Sequence, residues 1–202
     1  LRRLVGRAVE VRHLHDGQLA QAAGQRQLLA HARQVVQPAV GQRRHRILQR
    51  LPDMPEDRRL EHARRVALKA GLGGGLAESL IALTGEPDLA FIFGPGGLSE
   101  IPLVAHLPEL GQTVTGRIDR LVVTPERILA VDFKTGQRVP AGPSDLDPAH
   151  VQQMAAYREA LRRIHPGTAI VLALLYTEAP KLLILDDDLL DRAAHQIHVM
   201  RP

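Results

Sequence analysis

Gly116-Arg117-Ile118-Asp119 and, after one turn, Val131-Asp132-Phe133-Lys134-Thr135 are the two stretches that decide how this chain is read. Apolar residues alternate with polar ones through Val114, Gly116 and Ile118, and again through Leu129, Val131 and Phe133, the period of a β-strand. Between the stretches lies Thr124-Pro125-Glu126-Arg127, with proline where its fixed φ suits a type I turn. A hairpin centred between Pro125 and Glu126 sets Asp119 opposite Asp132. Paired residues share a face, as do Asp132 and Lys134, two apart on one strand.

Two carboxylates therefore face each other with an ammonium beside them. Like charges directly opposite destabilise a sheet unless something neutralises them, and a divalent cation bound through oxygen does so. The competing reading is an ordinary solvated patch, with Arg117 opposite Lys134 and a few weak surface ion pairs. A third element shifts the balance. Gln153 and Tyr157, four apart in a helical stretch, share one face.

Gly-x-Ile-Asp, Asp-x-Lys-Thr and Gln-x-x-x-Tyr in this order resemble the nuclease module of the PD-(D/E)XK superfamily, in its RecB-like branch. The wording from Leu98-Ser99-Glu100-Ile101-Pro102 through Tyr157-Arg158-Glu159-Ala160-Leu161 looks most like the C-terminal nuclease domain of the AddA helicase–nucleases. Upstream, His45-Arg46-Ile47-Leu48-Gln49-Arg50-Leu51-Pro52 resembles that family's first helix, which carries a histidine metal ligand. The likeness covers roughly residues 41 to 195.

The chain has 202 residues, a length for which one domain is the natural expectation. It contains no Cys and no Trp, so disulfides and thiolate metal sites are excluded, and with 2% aromatics the core must be aliphatic. No apolar run is long enough to span a bilayer, and no secretory signal is evident, so the cytoplasm is the default. Residues 1–50 hold 10 Arg against Glu10 and Asp16, whereas the remainder holds 16 basic and 20 acidic residues. The basic balance belongs to the N-terminal quarter, and the body is mildly acidic, as clustered carboxylates around a cation would make it.

The composition sets off a basic, irregular segment at 1–43, and the resemblance implies a nuclease domain over 44–202. The first segment reads as a nucleic-acid-binding arm, a linker from a larger chain, or sequence outside its true frame. The resemblance favours the last two, since the nuclease there follows a long helicase region. No Gly-x-x-x-x-Gly-Lys-Ser/Thr motif occurs, so this sequence carries no P-loop motor.

Helical spacing predicts one or two helices over 44–70, broken at Pro52 and Pro55, and another over 76–83. Strands follow at about 98–107, 112–123 and 127–134, then a helix at 149–164, strands at 168–176 and 181–185, and a final helix from Asp187. The expected fold is α/β, a mixed central sheet flanked by helices.

Asp119 and Asp132 are the expected ligands of Mg²⁺ or Mn²⁺. The resemblance adds the Phe133 backbone carbonyl and His45 as metal ligands, and Lys134 as the residue that orients or deprotonates the attacking water. Glu100 matches the family's outer acidic residue or is simply a polar strand start. Gln153 and Tyr157 would hold the DNA backbone or Lys134. Arg158 would contact phosphate, although a basic helix face is more often just solvated. Asp186-Asp187-Asp188 reads as a helix cap. The resemblance implies a metal-dependent deoxyribonuclease, an exonuclease in double-strand-break repair, partnered by DNA and an AddB-like subunit. The alternative is a catalytically inactive docking or DNA-binding module.

Overall fold

A computed structural model describes residues 39–71, 75–94, 96–108, 112–135 and 138–199. The basic arm expected over the first residues lies outside the described residues up to position 38, and the first described helix begins at Ala39.

Helix α1 (Ala39–Arg50) runs into a 3-10 turn at Leu51–Asp53, where Pro52 cannot continue the α-helical ladder. Helix α2 (Glu56–Lys69) restarts after Pro55, with Glu56 and Asp57 in a first turn that favours negative charge. Helix α3 (Leu76–Gly85) and the single-turn α4 (Ala90–Phe93) complete this layer.

Strands β1 (Gly97–Leu107), β2 (Gln112–Val123) and β3 (Arg127–Lys134) form an antiparallel meander. Helix α5 (Pro148–Ile164) crosses over to β4 (Ala169–Tyr176), which pairs parallel to β3. Strand β5 (Lys181–Leu185) adds antiparallel at the far edge, and helix α6 (Asp187–Val199) closes the described chain. The strand order is β1-β2-β3-β4-β5, the mixed sheet expected from the sequence. Asp186 caps α6 by accepting a hydrogen bond from the Leu189 N–H at 2.7 Å.

Side-chain alternation on β3 splits the core in two. Ile128 and Ala130 pack with Met154, Ala155 and Leu161 of α5 and Leu190 of α6. Leu129, Val131 and Phe133 pack on the other face against Ile47, Leu48, Leu80 and Ile92. A strand covered on both faces reads as a continuous apolar run, and after the exposed Arg127 at its start polarity breaks in only at Asp132 and Lys134.

The alternation changes phase within the meander. On β1, Ile101, Leu103, Ala105 and Leu107 face α5, and so does Leu98, three residues before Ile101. On β2, Val114 and Ile118 face α5, and so does Leu121, three residues later. The β1–β2 ladder skips only Glu100 and Asp119 between Gly97 and Leu107. Glu100 has φ of 56°, the one non-glycine positive φ among the described residues. Such a conformation costs about 1–2 kcal/mol, and it falls where the candidate site lies.

Candidate active site

The β2–β3 register is the one the turn implied. Arg120 pairs with Val131 and Val123 with Ile128, while Thr124 N–H bonds the Arg127 carbonyl to close the hairpin. The ladder stops one position short of Asp119 and Asp132. In place of the next backbone bond, the Asp119 carboxylate accepts the Phe133 N–H at 2.7 Å. Its other oxygen accepts Gln49 Nε2 at 3.0 Å, from α1.

Asp132 and Lys134 point together toward α5. Lys134 Nζ lies 2.8 Å from Asp132 Oδ2 and donates to Gln153 Oε1 at 3.1 Å. The Gln153 amide donates to Asp132 Oδ1 at 3.3 Å and to the Tyr157 hydroxyl at 3.1 Å. Tyr157 in turn accepts the Arg117 N–H at 3.2 Å and donates to the Arg117 carbonyl at 3.3 Å. Helix α5 is thereby hydrogen-bonded to the backbone of β2 and the side chains of β3 at one point. Gly116 allows it, since a Cβ there would sit 2.4 Å from the Tyr157 hydroxyl oxygen.

Both members of the Asp132–Lys134 pair are buried. Burying an ion pair is rarely a net gain in stability, so a retained one points to function. Burial and, next, the Asp132 charge push Asp119 up to about 7 from an ordinary 3.8, against the pull of its two hydrogen bonds. Two carboxylates in this setting favour a proton or a cation between them.

His45 is half-buried on α1, its ring edge-on to Phe133 with centroids 6.1 Å apart. Burial lowers its pKa, with Asp132 opposing and Lys134 reinforcing the shift. Its Nε2 is buried without a hydrogen-bond partner. Among the described residues no three His, Asp or Glu side chains are gathered into a ready-made metal cage. The carboxylates are instead satisfied by Gln49, Phe133, Lys134 and Gln153. The donor set nevertheless fits a divalent cation: two neighbouring carboxylates, one with a raised pKa, and an imidazole nitrogen without a partner.

The remaining expected residues divide. Glu100 lies on the strand next to Asp119, outside the hydrogen-bonded cluster, and is bound by Arg117 at 2.6 Å. Arg117 is thus paired with Glu100 while Lys134 is buried, so the two do not form a solvated patch. Phe133 contributes its N–H, and its ring packs with Phe93 at 5.9 Å. Arg158 is a correction. Its guanidinium is buried and bound to Glu159, Asp187 and Asp191, so it fastens α6 to α5 and offers no face to a phosphate.

Gln49 was not singled out as a site residue, although its spacing of four from His45 places both on one face of α1. Arg120 was also missed, being indistinguishable in sequence from a surface arginine. It is 1% exposed and donates to the carbonyls of Ile92 and Gly94 and to Ser99 Oγ, pinning the α4–β1 junction beside the phase change.

The family model of the PD-(D/E)XK nuclease superfamily matches residues 12–196. The chain belongs to this superfamily. PD-(D/E)XK nucleases are usually phosphodiester hydrolases and generally use divalent metals such as Mg²⁺. No curated protein matches the sequence. Among solved structures, it is similar to a candidate exonuclease from Eubacterium rectale, at 14% identity and a TM-score of 0.46, covering 71% of this chain and 61% of that one. It is also similar to SSO0001, at 15% identity and a TM-score of 0.34, covering 93% and 89%. The chain thus spans less than two thirds of the exonuclease structure. No described helix is long and apolar enough to cross a membrane.

Proposed function

We propose that this chain is a metal-dependent deoxyribonuclease that degrades DNA from its ends. We further propose that it is the C-terminal nuclease domain of an AddA-type helicase–nuclease, acting in the cytoplasm with an AddB-like partner during double-strand-break repair. The observation that carries the nuclease reading is the Asp119–Asp132–Lys134–Gln153 cluster, with the unpartnered Nε2 of His45 beside it. The AddA assignment is supported by the run from Leu98 to Leu161 and by the His45–Pro52 stretch.

Asp119, Asp132, His45 and the Phe133 carbonyl would hold the cation, and Glu100 is the acid on the neighbouring strand. When bound, a divalent cation supplies Lewis acidity and charge neutralisation at a phosphoryl oxygen. Lys134 spends two of its three N–H donors on Asp132 and Gln153, leaving one for the attacking water or a phosphate oxygen. Gln153 fixes the ammonium, and Tyr157 fixes Gln153. Phosphate contacts carry no base information, so cleavage is expected to be independent of sequence.

The test is degradation of end-labelled linear DNA against covalently closed circular DNA, single- and double-stranded, with Mg²⁺, Mn²⁺ or EDTA. Metal-dependent loss of linear DNA with the circles intact supports the proposal. Cleavage in EDTA, or a folded protein inert in both metals, overturns it.

A further inference from the structure

A cavity of about 520 Å³ opens beside Lys134, between the 138–148 segment, the start of α5 and the end of β4. Its wall includes Lys134, Thr135, Arg138, Leu146, His150 and Tyr176. Whatever fills it lies next to the ammonium of the candidate active site.

Two features of the lining residues bear on what the cavity would hold. Thr135 Oγ1 and His150 Nδ1 are buried with no hydrogen-bond partner, which is uncommon for polar atoms in a folded interior. Arg138 is exposed on the rim, and no ion pair to it is found among the described residues. The buried Leu146 and Tyr176 also line it and add apolar surface. The cavity is also braced. Lys181 Nζ donates to the carbonyls of Pro140 and Ala141 at 2.7 and 2.6 Å, and Thr177 N–H bonds the Lys134 carbonyl at 3.0 Å.

A lining that combines two cations, a hydroxyl and an imidazole with apolar and aromatic side chains suits a ligand with an anionic group and a flat ring. The volume suits one small molecule and excludes a length of duplex. Asp145 and Asp147 also line the cavity and disfavour more than one phosphate in it. We infer that this cavity is a subsite for the terminal nucleotide of a DNA strand, with its phosphate toward Lys134, Arg138 and His150 and its base against Leu146 and Tyr176. The choice of nucleotide as ligand rests on the nuclease reading above.

Binding can be measured without turnover, by calorimetric titration of dAMP and of inorganic phosphate in EDTA. The proteins are the wild type, Arg138→Ala and His150→Ala, each checked by circular dichroism and melting. Expected are dAMP binding at least tenfold tighter than phosphate and about a tenfold loss in each variant. Arg138 is exposed, so its replacement keeps the test valid if His150→Ala misfolds. Equal affinity for dAMP and phosphate, or undiminished dAMP binding in folded Arg138→Ala, overturns the subsite. A wild type that cleaves DNA but does not bind dAMP overturns the subsite alone. One that binds dAMP through these residues yet cleaves nothing supports the subsite and overturns the nuclease reading.

Discussion

Replacing Gly116 by Ala tests the contact that locks α5 onto the sheet. The added Cβ would lie 2.4 Å from the Tyr157 hydroxyl oxygen, 2.5 Å from Cε1 and 2.7 Å from Cζ. Two of these are ring carbons of a buried side chain, so the whole ring must retreat by roughly 1 Å to reach ordinary contact. Overpacking of this kind costs about 1–3 kcal/mol, and weakening the hydroxyl's bonds to Gln153 and Arg117 adds about 1 kcal/mol. The expected loss is therefore about 2–4 kcal/mol, or roughly 5–15 °C in Tm for a chain of this size. Gly116 has no positive φ, so without the ring a Gly→Ala change would stabilise by up to about 1 kcal/mol through the unfolded state. The sign of the effect thus separates the two situations. Urea and thermal melts of Gly116→Ala, Tyr157→Ala and the double variant give the coupling directly. Tyr157→Phe keeps the Cε1 and Cζ contacts and should not rescue. A Gly116→Ala cost that is equally large in the Tyr157→Ala background would refute the reasoning.

Asp119 holds a proton up to about pH 7 in the folded chain but only to about 3.8 when unfolded, so metal-free stability falls as pH rises between those values. Asp119→Asn should therefore melt higher than wild type at pH 8 without metal, by on the order of 2–4 kcal/mol, the gap closing below pH 4. Gln49→Ala removes a bond that holds the Asp119 pKa down, so metal-free Asp119 should keep its proton to higher pH than in the wild type, read from the pH dependence of its carboxyl resonance. Arg158→Ala should cost about 2 kcal/mol in a urea melt, less than a fully buried pair because Asp187 and Asp191 remain largely exposed. The same variant should leave the salt dependence of DNA binding unchanged, since Arg158 touches no phosphate.

The hairpin was legible because a turn proline and alternating residues fix a register, and a register fixes which residues face each other. Asp119, Asp132 and Lys134 were located that way, and Gln153 and Tyr157 by helical spacing. The phase change at Glu100 and Asp119 was not legible. It depends on a positive φ that the sequence does not mark with glycine, and on Arg120 holding the α4–β1 junction. Arg158 misled for a related reason: a basic helix residue looks the same whether it meets a phosphate or the acids of the next helix. The cavity beside Lys134 lies between segments distant in sequence, which no local pattern reveals.

The most direct test of the nuclease assignment is cleavage of labelled linear DNA in Mg²⁺ and Mn²⁺ by wild type and by Asp132→Ala, with both shown to be folded. Metal-dependent cleavage by the wild type that falls by a hundredfold or more in the variant is the expected result, on the order of the loss when a charge-stabilising group is removed from an active site. Cleavage by the variant at the wild-type rate would contradict it and place the chemistry elsewhere.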